Sequence, residues 1–478
     1  MSSTDQEQEP EKGETENPGG GAREKLPARA KRRLLGAPPR RFFLQLGLPW
    51  GSALLVGLVS VLYAAWSTAA SDAFVGWIAG RPWLAFVITP GLTVLALFLT
   101  RRWFTGSEGS GIPQVIAALH APRAEEDTLM RRLFGLRVIA GKIGISLVGL
   151  LGGLTIGREG PTVHIGAAIM AESRRFYPHR SAQLERRLLL AGAAAGLSAA
   201  FNTPLAGIIF AIEELARDFE SRTNGIMITA VVFSGLTSLA LAGNYLYFGQ
   251  INVPENLGAA FALPVIFSAA LCGLFGAAFN LAVLRWASWM PDWLVALRGR
   301  RPLLYALIVG IVVAALGVGS HGETWGSGYE QARHLLTGSS PLSESYAIAK
   351  WGAMVVTYMA GIPGGLFSPS LSIGAGLAQW VHAVFSSAPM AALIALCMTG
   401  YLAAVTQSPI TSFVIVMEMT NGTGMVIPMM ATALMSSRIS AFFTPPLYQA
   451  LAENNYYHVG SLPTGEFLQK KPVPPPGA

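Results

Sequence analysis

Residues 157–167 read GREGPTVHIGA, and residues 365–375 read GLFSPSLSIGA. Both follow the pattern G-x-x-x-P-[ST]-[VL]-x-I-G-A, at an offset of 208 (365 − 157). A second pair follows in the same order: 197–213, LSAAFNTPLAGIIFAIE, against 402–418, LAAVTQSPITSFVIVME, at an offset of 205 (418 − 213). Two matched pairs at nearly one spacing mark an internal duplication, so the chain folds as two similar halves. Apolar segments interrupted by Gly and Pro at corresponding places in both halves point to broken helices that meet at a site within a membrane. Close packing of small residues would explain one G-x-x-x-P, but not the shared order and spacing.

The apolar fraction is 52% and the charged fraction only 13%, against about 25% charged residues in soluble domains. Residues 188–216, 223–284 and 351–437 contain no Lys or Arg. A bilayer span needs about 20 apolar residues, so these stretches predict an all-α polytopic membrane protein. Cys272 and Cys397 lie in apolar sequence and supply neither a disulfide framework nor a metal cluster. The net charge of +7 follows membrane topology, and no nucleic-acid partner is expected.

Residues 1–41, acidic and then basic, with no apolar stretch of a secretory signal, read as a disordered cytoplasmic tail beside anionic lipid. Apolar segments follow at 42–66 and 84–100, with 67–83 outside and Arg101 inside. Arg123, Arg131, Arg132, Arg137 and Lys142 are expected at the inner face, as are Arg174, Arg175, Arg180, Arg186 and Arg187. An outer loop containing Asn244 and Pro254 joins halves at about 42–250 and 258–440. Arg298, Arg300 and Arg301 return the chain to the inside. The membrane region ends near 455, and a Pro-rich tail, 456–478, carries Lys470 and Lys471. This places both termini in the cytoplasm of a multi-pass protein of a bacterial inner membrane.

The chemistry centres on Gly157-Arg158-Glu159-Gly160-Pro161. Pro161 suits the first turn of a helix, where its missing N–H costs nothing. The glycines leave backbone N–H groups unshielded, and such a helix start attracts anions. Glu159 is tethered there and competes with a mobile anion. Gly109-Ser110-Gly111-Ile112-Pro113 opens an apolar run to His120 that is too short to cross a bilayer, so a re-entrant half-helix is expected. Residues 188–216, broken at Asn202-Thr203-Pro204, form two short helices ending at Glu213 and Glu214. Glu214 lies three residues before Arg217, so it serves either as a helix-end ion pair or as an intramembrane acid. Glu418, the repeat mate of Glu213, reads as structural. His164, the mate of Ser372, reads as packed or hydrogen-bonded, and His321 and Glu323 receive no role.

GSGIP (109–113), GREGP (157–161), GLFSP (365–369) and the late Tyr448 occur together and in order. In these motifs the chain resembles the CLC family of chloride channels and proton-coupled chloride antiporters, over about residues 42–455. The resemblance implies a homodimer, each subunit an inverted repeat of short tilted and re-entrant helices with its own anion pathway. It implies that Ser110 Oγ and Tyr448 OH contact a central anion, with Gly111 and Ile112 beside them. Backbone N–H groups of Leu366 and Phe367 would complete that site. Those around Arg158, Glu159 and Gly160 would line an outer site that the Glu159 carboxylate can occupy. Glu214 matches the inner proton acceptor of the antiporter branch. No cofactor and no enzymatic activity are implied; the partners are chloride, protons and membrane lipid.

Two departures qualify the resemblance. The stretch Gln114-Val115-Ile116 lacks a carboxylate that some antiporters carry there, and too few residues follow Tyr448 for a large cytoplasmic regulatory domain. Chloride–proton exchange is the leading expectation, and a passive voltage- or pH-gated chloride channel of the same fold is the alternative. Glu214 separates them, because channel members tend to lack an acid there. The fluoride-exporting branch departs from the Ser-containing motif and fits less well. A hydrolase using Ser110 or His164 would need a base beside its nucleophile, and no spacing supplies one.

Overall fold

The computed structural model describes residues 47–121, 123–177, 181–216, 225–243, 246–251, 258–339 and 342–456. The tail 1–41, Arg180, Arg217, Asn244, Pro254, Lys470 and Lys471 lie outside the described residues.

Helices make up most of the described chain, joined by short turns. The first half comprises α1 (Leu48–Ile78), α2 (Ala85–Arg102), α3 (Ile112–His120), α4 (Arg123–Leu133), α5 (Leu136–Leu151), α6 (Glu159–Glu172), α7 (Ala182–Phe201), α8 (Pro204–Phe210) and α9 (Gly225–Ala242). The second comprises α10 (Ala262–Leu284), α11 (Asp292–Arg300), α12 (Pro302–Gly319), α13 (Tyr329–Thr337), α14 (Tyr346–Met359), α15 (Phe367–Val384), α16 (Met390–Thr406), α17 (Pro409–Thr420) and α18 (Val426–Phe443). A last helix, α19 (Leu447–Tyr456), carries Tyr448. Among the described residues, seven helical segments are long and apolar enough to cross a membrane. α3 has nine residues, as a re-entrant half-helix requires.

Prolines and left-handed caps set many boundaries. Pro204 and Pro409 occupy the first turns of α8 and α17, where no N–H is needed. The preceding helices end on residues with positive φ at matching places, Asn202 (φ 57) and Gln407 (φ 59). The short amide of Asn202 helps to tolerate a conformation that L-residues generally avoid, while the Gln407 side chain donates instead to Thr444 O at 2.8 Å.

Packing repeats as well. α6 lies on α7 as α15 lies on α16, and α1 and α7 flank α9 as α10 and α16 flank α18. Glycines allow the backbones to approach: a Cβ on Gly166 would fall 2.3 Å from Gly192 O, and one on its mate Gly374 would fall 2.5 Å from Cys397 O. Outward faces of α1, α9, α10, α12 and α18 expose large apolar residues such as Leu58, Leu236, Leu274, Ile311 and Leu434, which suits a lipid surround.

One boundary corrects the sequence reading. α1 does not end near residue 66 but runs to Ile78, so much of the expected outer segment 67–83 is helix. The hydroxyls of Ser67, Thr68 and Ser71 each donate to the carbonyl four residues back, of Tyr63, Ala64 and Ser67 respectively. The helix thereby satisfies its own polar groups and continues.

Candidate anion site

Backbone bonds join three separated turns at one place. Gly157 and Gly365 each donate an N–H to the other's carbonyl at 2.8 Å. Gly109 N donates to Ile362 O (3.2 Å), and Gly364 N donates to Gly109 O (3.1 Å). The starts of α3, α6 and α15 therefore share a junction. A Cβ on Gly160 would lie 2.4 Å from Ser110 Oγ, and one on Gly365 would lie 3.0 Å from Gly160 N. Only glycine admits this approach of helix starts.

Ser110 is 1% exposed and Tyr448 fully buried. Their hydroxyls face one another across the junction without meeting hydrogen-bond geometry, and neither has a partner among the described residues. Buried hydroxyls ordinarily find partners, so both have a donor to offer a ligand. Tyr448 stacks on Phe367 (6.1 Å, 15°), and Phe367 packs against Phe201 and Phe210. The Phe367 ring thus positions the Tyr448 hydroxyl while its own N–H begins α15. Ser110, Gly111, Ile112, Gly160, Leu366, Phe367 and Tyr448 are all buried.

Glu159 is fully buried. Its carboxylate turns toward the other repeat: Ser368 Oγ donates to Oε1, and Ser368 N donates to Oε2 at 3.4 Å. Tyr247 OH donates to Oε1 at 3.2 Å. Arg158 lies at the edge of this group. Its Nε is 4.0 Å from Glu159 Oε1, while Nη1 donates to Ala64 O (3.0 Å) and Thr68 Oγ1 (3.3 Å) of α1. Such an arrangement holds the Glu159 carboxylate mainly through hydroxyls and an N–H dipole, with the Arg158 guanidinium at the outer limit of an ion pair.

Glu213 and Glu214 occupy a π-helical turn, 211–216, that extends α8. The extra residue in such a turn redirects side chains, and π-turns recur at functional sites. Here it parts the two acids. Glu213 reaches across the repeat to accept from Ile410 N (3.0 Å) and Thr411 N (2.6 Å) at the start of α17. Glu418 returns the contact, accepting from Leu205 N (3.2 Å) and Ala206 N (2.7 Å) of α8. Both are helix-start caps. Glu214 is 2% exposed and accepts from Ser408 Oγ. Its repeat position is Met419, so this acid has no counterpart.

Lys142 corrects another expectation. Rather than lying at an inner surface, it is 1% exposed and donates to Glu108 O (3.2 Å) and Gly109 O (3.0 Å). Its partners are the carbonyls leading into Ser110, where Gln114 Nε2 also donates to Glu108 O (2.6 Å). Lys350, 208 residues on (350 − 142), is likewise buried and donates to Thr324 O, Trp325 O and Gly326 O. The turn it braces reads Gly326-Ser327-Gly328 and precedes α13 as Gly109-Ser110-Gly111 precedes α3. The positive φ values match, 62° and 82° against 63° and 100°. The motif-scale offset of two lone lysines in apolar sequence was the available signal.

The expected Ser110, Glu159, Gly160, Leu366 and Phe367 converge with Tyr448, and Glu214, on the π-turn, lies within electrostatic reach of the Tyr448 hydroxyl. Tyr247, Ser368 and Ser408 were missed. Tyr247 lay in the segment read as a connecting loop; the adjacent pair Tyr247-Phe248 was its only hint. His164 is packed as expected, its Nε2 2.8 Å from Leu133 O and its ring edge-on to Phe134. Among the described residues, no three His, Cys, Asp or Glu side chains gather as metal ligands.

Two similar helical halves, with helix starts from both meeting at buried hydroxyls and a carboxylate, define an all-α membrane fold of the CLC class. The chain belongs to the family described as voltage gated chloride channel, which matches residues 92–441. It is similar to the H(+)/Cl(-) exchange transporter ClcA of Cronobacter sakazakii, at 31% identity over 432 residues, covering 84% of this chain and 87% of the relative. A ClcA of Klebsiella pneumoniae is 31% identical over 396 residues, covering 77% and 78%. In fold the chain resembles a slow cyanobacterial Cl-/H+ antiporter, with a TM-score of 0.70, 22% identity and coverage of 85% and 97%. It also resembles a CLC-type fluoride/proton antiporter, with a TM-score of 0.68, 20% identity and coverage of 84% and 96%.

Proposed function

We propose that this protein exchanges chloride for protons across the membrane, with Glu159 as the gating carboxylate and Glu214 as the inner proton acceptor. The observation that carries this is the buried Glu159 carboxylate, held by a helix start of the opposite repeat beside the unpartnered Ser110 and Tyr448 hydroxyls. An ionised Glu159 competes with chloride for one set of donors. Chloride arriving at Ser110 and Tyr448 raises the carboxylate's proton affinity by repulsion. The protonated side chain no longer matches the donors as an anion does, and it yields the path. Proton and chloride occupancy are linked in this way, and a gradient of either drives the other.

A proton leaving Glu159 for the inner side must pass the anion site, so a second acid is needed off the anion path. Glu214, buried on a π-turn with no repeat counterpart, fits that need. The names of the ClcA relatives support exchange of these two ions. We place the chain as a homodimer in a bacterial inner membrane, both termini cytoplasmic. The test is purified protein in liposomes: an outward chloride gradient drives protons inward against their own gradient. Chloride flux with no proton movement would overturn exchange and establish the passive channel.

A further inference from the structure

We infer that the hydroxyls of Tyr247 and Ser368 form a clamp on the ionised Glu159 and set the pH at which this gate releases. The inference rests on the gating role proposed above for Glu159 and adds two positioning residues to it. Ser368 Oγ and Tyr247 OH both donate to Glu159 Oε1, and the two hydroxyl oxygens lie 3.4 Å apart. Ser368 is 1% exposed and Tyr247 2% exposed, so water does not compete freely for these donors.

The Tyr247 hydroxyl is held in place by its surroundings rather than by Glu159. Tyr329 OH donates to Tyr247 O at 2.7 Å, and the Tyr247 ring packs edge-on against Tyr329, Phe201 and Phe248. Phe248 N and Ile251 N donate to Met419 O and Thr420 O at the end of α17, each at 3.1 Å. The connector between the repeats is thus tied down where it presents Tyr247 to the gate. Ser368 is fixed as part of the first turn of α15.

Hydroxyl donors are strongest toward a charged acceptor, so the clamp favours the ionised carboxylate over the protonated acid. Loss of either hydroxyl therefore raises the proton affinity of Glu159, and the gate opens at a higher pH. The charged and titratable groups facing Glu159 from its neighbours are Arg158 before α6, Tyr63 of α1, Tyr448 of α19 and Tyr247 itself. Tyr63 is engaged with Ser146 Oγ at 2.7 Å. Arg158 also sits 5.4 Å above the Tyr247 ring, but neither substitution below removes its charge.

Chloride efflux from proteoliposomes is measured against external pH, together with chloride-driven proton uptake. Tyr247→Phe and Ser368→Ala each move the acid-activation midpoint upward by about one pH unit, the scale of one hydrogen bond to a charged group. The double variant moves it further, and Ser368→Thr, which restores a hydroxyl, returns it toward the starting value. In a Glu159→Gln background the same substitutions leave the pH profile where it was. If Glu159→Gln flattens the profile while Tyr247→Phe and Ser368→Ala keep the original midpoint, the clamp is refuted and the gate stands. A Glu159→Gln protein with an unaltered pH profile and intact coupling overturns the gate itself. Should Tyr247→Phe fail to fold, Ser368→Ala with its Thr counterpart decides alone.

Discussion

Gly157 and Gly365, equivalent residues of the two repeats, each donate a backbone N–H to the other's carbonyl at 2.8 Å. A residue exchanges both bonds with its own mate only where a twofold axis passes between them. Residues related by simple translation would make unequal contacts. The Glu213 and Glu418 caps obey the same rule, each acid closing the helix start that belongs to the other's repeat. The halves are therefore related by a pseudo-twofold axis, and the junction of helix starts lies where that axis passes.

At that axis Glu159 offers a carboxylate, whereas its repeat mate is Phe367. Glu159→Gln replaces the titrating group by a neutral amide of the same shape. Chloride transport persists, proton coupling is lost, and the pH dependence of chloride flux flattens. Paired flux measurements in liposomes check all three; unchanged chloride-driven proton uptake would falsify the gate assignment.

The Ser110 and Tyr448 hydroxyls are expected to share one anion. Ser110→Ala and Tyr448→Phe each weaken chloride binding by about 1–3 kcal/mol. Calorimetric titration of the purified variants reads this directly. Unaltered affinity in both would place the central site elsewhere.

Glu214→Gln keeps the hydrogen-bonding shape beside Ser408 but cannot cycle a proton. The variant folds, moves chloride and no longer moves protons. Retained coupling refutes the relay, and loss of the folded protein assigns Glu214 a structural role instead. The outcome separates the two demands because Glu213, not Glu214, caps α17.

Lys142 and Lys350 brace equivalent turns, but only the Lys142 turn leads to the hydroxyl at the junction. Lys142→Met and Lys350→Met each remove a donor from buried carbonyls, a loss of about 1–3 kcal/mol. Both variants should unfold at lower temperature in detergent. Lys142→Met alone should also weaken chloride binding, since Glu108 O and Gly109 O flank Ser110. Equal chloride affinity in the two variants would show that the Ser110 turn holds its place without the lysine.

Much of this architecture could be read before any coordinates. Apolar runs without Lys or Arg located the helices, and prolines 113, 161, 204, 369 and 409 marked starts that the structure keeps within one or two residues. The end of the apolar segment at residue 66 misled, because Ser67, Thr68 and Ser71 bond back into the helix and carry it on to Ile78. Lys142 misled for a related reason. A lone cation in an inner basic run reads as a surface charge, and only the fold brings carbonyls within its reach.

The duplication, the membrane class and the candidate residues Ser110, Glu159, Glu214 and Tyr448 followed from the order of residues alone. They depend on local rules: the length of apolar runs, the fit of Pro and Gly at helix starts, and repetition at a fixed offset. Partners did not. That Glu159 turns to Ser368 of the opposite repeat, that Tyr247 of the connector joins it, and that Glu214 meets Ser408 were decided only when the halves packed. These pairs are separated by 209, 88 and 194 residues along the chain. Nothing in local propensity encodes such a meeting. It arises because the pseudo-twofold axis places two glycine-lined helix starts back to back, and buried polar groups must then find their partners across the axis.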